Sequence, residues 1–572
     1  LRPLLRFAQE ASQRHVIRVA MAYLVGAWVT AQVGGLVFPI FGFHESALRA
    51  LLGVLAAGLP VALWLAWRFD LTPEGVARTP SGPGSAGSDG PAPLLHREPA
   101  AVDRKSLAVL AFVDRSRAGA DGFLAEGISE ELINILGRAG GLKLAPRSSS
   151  FAFRSRDLDV REIGRRLNVA HVLDGSVRQS GEQLRISVEL IDVAEGLTRW
   201  MNVYESESAT LSNVQEDIAQ RVVGQIAPAP SGGALPAIRV DHGTSVTEAY
   251  NLYLKGRVFW NSRYAVGLER SIECFGEAAR LDPNYAPPLS GLADAYSLLA
   301  FYNFMAPRDG FGKASAFARR AQSLAPALAE TNASLAFVQH FFDWNYGAAE
   351  TSYRRAREAD PDYGPSRFWF AFLLASIGRP DDAKAEIEAA RKAEPYSSII
   401  NGGASYLDYF LGDHAVGIQS AATVLDTDPN FGPAHMFLGF HQIATGLHEE
   451  AVRSWRAAVE RLDRLLFARL MLATAHAYAG STAEARALLQ QLDNSAQGYV
   501  SPYFRGIAAL ALGERDTALG LMEKALEDRC NFLVLAGLDP LLAGLREEPR
   551  FLRVIEQVGV PLQHVGAVRR SD

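Results

Sequence analysis

GPSRFWFAFLLASIGRPDDAKAEIEAARKAEP, residues 364–395, holds the pattern that decides the fold of most of this chain. Phe368 and Phe372 stand four apart, as residues on one helix face do, and Ala383 and Ala390 bracket the bulky Ile387. Pro395 then closes the stretch, because proline cannot continue a helical hydrogen-bond ladder. Working outward, Pro283, Pro326, Pro361, Pro395 and Pro429 follow acidic or small residues at separations of 43, 35, 34 and 34. Further small pairs repeat the device: Ala349 and Ala356 around Tyr353, Ala451 and Ala458 around Trp455, Ala518 and Ala525 around Met522. Small residues at this spacing let paired helices cross closely.

A 34-residue period of helical hairpins is similar to the tetratricopeptide (TPR) family. The resemblance covers about residues 245–530 and implies an all-α solenoid of some eight hairpins, with residues 531–572 as a C-terminal cap and tail. It also implies a concave face for protein or peptide partners. Phe372, Tyr406 and Phe440 recur 34 apart, with Phe368, Tyr409, Met436 and Ile443 beside them, so the expected groove is apolar and aromatic. Relatives that grip chaperone carboxylates use Lys and Asn there, and this chain departs from that pattern. The competing reading is that these seven residues pack into neighbouring repeats, since a core also needs such side chains.

Residues 105–227 alternate strand and helix signals. Leu107–Val113 is a strand; Ser129 before Glu130 and Glu131 reads as a helix cap; strands follow near 142–145, 171–177, 184–190 and 200–204, then a closing helix from Val214 to Ile226. The run REIGRRLNVAHVLDGSVR, residues 161–178, and its surroundings resemble the TolB amino-terminal-like domain, which implies a non-catalytic α/β domain. Arg161, Arg165 and Arg166 form a basic patch that could hold an anion, though solvated arginines are the commoner case. Asp174-Gly175-Ser176 lacks a G-x-S-x-G elbow and reads as a strand-edge turn.

The amino-terminal part has another texture. Val19–Phe38 carries no charge and is long enough for the ~30 Å of a hydrocarbon core, and Ala50–Trp67 is a second apolar run. The expectation is a two-helix transmembrane hairpin, residues 1–79 with spans about 19–38 and 50–67, contacting inner-membrane lipid; a signal peptide or two soluble core helices are the alternatives. Arginines flanking both spans place the rest of the chain in the cytoplasm of a bacterium, as a multi-pass inner-membrane protein. Pro/Gly-rich linkers at 80–104 and 228–244 separate the parts. The first contains Gly82, Gly84 and Gly87 in a chance G-x-G-x-x-G with neither strand nor helix around it.

With 572 residues, a net charge of −6 and two cysteines, the chain is multidomain and is neither a disulfide scaffold nor a zinc module. Nucleic acid is not an expected partner. GFGK at 310–313 lacks the rest of a phosphate loop, and His435, His441 and His448 fall on different turns, so no enzyme, cofactor or metal is expected. The expected function is a membrane-anchored interaction scaffold in bacterial signalling or envelope assembly. The alternative is the regulatory part of a signalling protein whose nucleotide cyclase or DNA-binding output domain lies upstream of Leu1 or has been lost.

Overall fold

Two contact-defined units divide the chain, 1–97 and 98–572. The computed structural model describes residues 102–116, 123–139, 141–153, 158–180, 183–207, 211–227, 243–261, 263–361, 363–394, 396–462, 465–494 and 498–562, with 30, 55, 69–72 and 75–78 before them. In the first unit β1 (Phe69–Thr72) and β2 (Gly75–Arg78) pair antiparallel, Phe69 opposite Arg78.

The expected spans 19–38 and 50–67 lie outside the described residues. Among the described residues no helix is long and apolar enough to cross a membrane. That finding overturns the expected transmembrane hairpin, the multi-pass inner-membrane localisation and the lipid contact that went with them. Helix Pro307–Leu324, the one described helix that reaches 18 residues, carries Arg308, Asp309, Lys313, Arg319 and Arg320, each costly in hydrocarbon. The fold is mostly helical, with a small sheet domain and tetratricopeptide-like helical repeats.

The sheet domain opens the second unit. β3 (Ser106–Val109) is buried along its length and runs parallel to both β5 (Lys143–Leu144) and β6 (His171–Ser180), as strands covered on both faces do. β6, β7 (Gln183–Asp192) and β8 (Thr198–Glu207) form an antiparallel meander, giving the order β5-β3-β6-β7-β8; β4 (Val113–Asp114) also pairs with β6. The period-two run Leu184, Ile186, Val188 and Leu190 turns one face of β7 into a core with Leu132 and Ile135 of helix Phe123–Ala139 and Ile218 and Val222 of helix Leu211–Ile226. Ser129 does not cap that helix. It lies inside it, fully buried, donating to Ala125 O at 2.9 Å and accepting from Phe112 N at 2.9 Å, so it fastens the helix to the segment between β3 and β4.

From Thr247 to Glu527 the described chain makes eight antiparallel helix hairpins. Gly378, Gly412, Gly446, Gly480 and Gly513 all take positive φ, 78–85°, at successive hairpin turns 34, 34, 34 and 33 residues apart. Each supplies the left-handed residue that ends a helix at no Cβ cost. Close crossing is literal: within one hairpin a Cβ on Gly439 would lie 2.4 Å from Trp455, and between neighbouring hairpins one on Gly403 would lie 2.3 Å from Phe368.

Candidate binding face of the helical repeats

The inner helices Gly364–Ser376, Ser398–Leu411 and Gly432–Ala444 carry the aromatic ladder. Ring centroids connect Phe372 to Tyr406 at 6.2 Å and Tyr406 to Phe440 and Phe437 at 5.2 Å each. Aromatic rings at these separations attract beyond their buried area. All seven expected groove residues lie here, and none is more than 6% exposed.

The ladder rings pack on one another and on neighbouring repeats, Phe440 meeting Trp455 at 5.0 Å and Phe467 at 6.1 Å, and the end of the chain adds to this burial. After the last hairpin the chain turns inward as two short 3-10 helices, Asn531–Leu535 and Pro540–Leu545, which lie against the ladder. Phe532 packs on Phe301 at 5.1 Å, Phe504 at 4.7 Å and Tyr503 at 5.9 Å. Asp539 accepts from the hydroxyls of Tyr409 at 2.6 Å and Tyr503 at 2.7 Å, and from Leu541 N at 3.0 Å. Burial pushes this carboxyl above its ordinary range even though the three donors pull the other way. The same turn of chain is tied to early hairpins: Arg308 donates to Glu527 O, Arg529 to Phe342 O and Asp343 O, and Tyr346 to Val558 O.

At one edge the cover is incomplete and leaves a cavity of about 70 Å³. Phe368, Phe372, Tyr406 and Met436 line it with Trp369, Phe437 and Phe532, whereas Tyr409, Phe440 and Ile443 lie outside the lining. Arg263 and Asn303 supply its polar edge. Both take left-handed backbone, φ 59° and 60°, where a residue other than glycine is strained.

The other sequence candidates are dispersed. Arg161 pairs with Asp159 at 2.8 Å, and Arg165 and Arg166 both pair with Glu162, at 2.9 and 3.1 Å, on a seven-residue helix. Every guanidinium of that patch therefore has a local carboxylate. Asp174 is buried and accepts from Gly175 N at 2.7 Å. His441 is buried, bonded through Nε2 to Ser405 O at 2.8 Å, and burial lowers its pKa to about 4; its Nδ1 meets His414 Nδ1 at 3.1 Å. His435 reaches Pro429 O at 3.4 Å, and His448 is buried against Tyr478.

Sequence reasoning missed a junction between the sheet domain and the repeats. Glu130, buried on helix Phe123–Ala139, lies 2.9 Å from Arg147 and 3.2 Å from Arg257 of the first repeat helix. Burial alone would raise its pKa, but the two guanidinia hold it below the carboxylate range. At a second point Ser148 donates to Glu394, Tyr396 donates through its hydroxyl to Arg166 O at 2.8 Å, and its ring meets Phe153 edge-on at 5.4 Å. The acids and arginines of such a junction look like ordinary surface charge in sequence; only the fold brings residues 127 and 246 positions apart together. Asp539 had a faint signal, one acid inside the apolar run NFLVLAGLDPLLAGL.

The second-domain family of HilA/YgeH-like transcriptional regulators matches residues 103–221, the region whose residues suggested a TolB amino-terminal-like domain. A Rhizobium meliloti (strain 1021) protein named putative adenylate cyclase 3 is 29% identical over 251 residues, 44% of this chain and 39% of that protein. The chain thus spans about two fifths of that relative's length. Among solved structures, a human IFIT1 dimer with m7Gppp-AAAA aligns at 13% identity over 61% of this chain and 89% of its own, TM-score 0.37. PilW, a type IV pilus biogenesis factor, aligns at 19% identity over 36% and 95%, TM-score 0.28.

Proposed function

We propose that this chain is a protein-interaction scaffold of a signalling system, whose helical repeats bind a partner protein or peptide through the inner face bearing Phe368, Phe372, Tyr406, Tyr409, Met436, Phe440 and Ile443. The observation that carries the reading is the cover on that face. A chain segment that is not a repeat lies against this face, with Phe532 on the neighbouring rings of Phe301, Tyr503 and Phe504 and with Asp539 accepting from Tyr409 of the ladder. A partner offering an aromatic anchor beside an acid exchanges with residues 531–545 and gains access to the ladder. Anchors of this kind commonly dominate binding energy. The sheet domain travels with the repeats through Glu130 and its two arginines.

A second reading, the regulatory part of a signalling protein, is supported by the HilA/YgeH-like match and the adenylate cyclase-named relative. It is compatible with the first, since a scaffold coupled rigidly to a regulatory domain can transmit partner binding. The finer assignment of that domain as TolB amino-terminal-like is also our proposal, supported by the residues at 161–178.

The test is site-specific photo-crosslinking in cells from positions 369 and 437 of the full chain, at the uncovered edge, against positions 201 and 203 on the exposed face of β8. Discrete protein adducts from the repeat positions are expected. Adducts arising only from the β8 positions would remove the inner face as the partner surface.

A further inference from the structure

We infer that the cavity between the first hairpins and the C-terminal cover is a binding site for a small organic acid, one carboxylate on a short aliphatic or single-ring apolar body, with Arg263 as its counter-charge. The site goes beyond the partner-protein reading and stands whether or not that reading does.

The argument begins with charge. Arg263 is the only charged residue among the described lining, and the walls are otherwise almost entirely aromatic and aliphatic. Its guanidinium lies over the Trp260 ring, 3.7 Å from the centroid, in no ion pair among the described residues, and its buried Nε has no hydrogen-bond partner. Asp294 attracts Arg263 electrostatically but makes no ion pair with it, accepting instead from Ser334 at 2.6 Å, and Glu130 holds Arg257 and Arg147. Asn303, 4% exposed, has an Oδ1 without a donor, but that atom is an acceptor which a carboxylate cannot satisfy, so Arg263 alone selects the charge. Buried polar groups normally find partners within the protein or in bound molecules, so an unpaired guanidinium Nε on a residue lining a cavity points to a ligand that accepts from it.

Size and shape narrow the class. The volume of about 70 Å³ is roughly half of the ~150 Å³ that takes benzene in an engineered apolar cavity, so the enclosed part accepts a short tail or part of one ring. An inorganic anion would leave the walls of Phe368, Phe437 and Met436 empty, and a neutral hydrocarbon would leave Arg263 unpaired. A carboxylate on an apolar body satisfies both, and a planar guanidinium matches a carboxylate in a two-point fork.

The experiment is titration calorimetry on the full chain with hexanoate and phenylacetate, each against its uncharged amide, with Trp260 and Trp369 fluorescence as a second readout. At least one acid is expected to bind about tenfold or more tightly than its amide, because hydrogen bonds to charged partners exceed that margin. Arg263→Gln should erase the preference. Arg263→Asn, which tolerates left-handed backbone, serves if the first variant misfolds. Amides binding as well as acids, an unchanged preference in folded variants, or no binding by either acid at millimolar concentration would each overturn the site. The acid-against-amide comparison uses the unaltered chain and decides even if both variants fail to fold.

Discussion

Replacing Asp539 by alanine tests whether residues 531–545 are held on the ladder by the contacts described. The carboxylate receives three hydrogen bonds, two from the hydroxyls of Tyr409 and Tyr503, both tyrosines being fully buried. Removing it strands two hydroxyls, at about 1–3 kcal/mol each, so the gross cost is about 2–6 kcal/mol. Part returns because a buried carboxylate no longer has to be desolvated, the effect that already raises its pKa, leaving a net loss of about 2–4 kcal/mol. At about 1.4 kcal/mol per tenfold, the segment should open roughly 30- to 1,000-fold more often. Hydrogen exchange followed by mass spectrometry reads this directly: protection should fall in peptides covering 528–546 and in the ladder helix 398–411, with the sheet domain unchanged. Tyr409→Phe should cost about 1.5–3 kcal/mol in the native chain and little once Asp539 is gone. Unchanged exchange across 528–546, or an undiminished effect of Tyr409→Phe in the double variant, would refute the reasoning.

Asp294 has a folded-state pKa raised to about 6 by burial, against 3.8 unfolded. The native state therefore binds more protons between those values, and stability falls as pH rises from about 4 to 6; Asp294→Asn should flatten that part of a urea-melt pH profile and raise stability at pH 7 by about 1–3 kcal/mol. Glu130→Gln leaves Arg147 and Arg257 without their shared carboxylate, and a loss of about 3–5 kcal/mol should loosen the sheet domain from the repeats, read as faster exchange in helices 123–139 and 247–261 together. Gly403→Ala places a methyl 2.3 Å from the Phe368 ring, and the overpacking should cost about 1–3 kcal/mol in denaturant melts while Gly276→Ala, with open space around it, should not.

The repeats were legible because their signals are local and periodic. Prolines at helix ends and alanine pairs around one bulky residue survive in the sequence at their true spacing, and the glycines at 378, 412, 446, 480 and 513 carry the same period more regularly than the prolines do. The strand alternation of β7 was equally plain. What periodicity cannot show is which face of a helix a distant segment will meet: the pattern leaves the seven ladder residues between groove and core, and nothing local to Tyr409 announces its bond to Asp539, 130 positions away. Arg263 and Asn303 left no pattern, since each matters through a backbone conformation and a missing partner. Ser129 had the composition of a cap, but the helix had already begun six residues earlier, at Phe123. In the amino-terminal region hydropathy supported spans that the described residues do not contain.

The ties from Arg308, Tyr346 and Arg529 to residues 186 to 219 positions distant change how this array responds to being pulled or warmed. An open stack of repeats frays from its ends, one hairpin at a time, like a spring whose last coil is free. Here the last coil is clasped to the second and third hairpins, so the carboxyl-terminal end cannot peel away before the clasp gives. The array then loses the graded softness of its kind and gains a threshold, holding its curvature up to one force and releasing several coils together beyond it. Refolding bears the converse burden, because the clasp can close only after two far-separated stretches of chain have found each other.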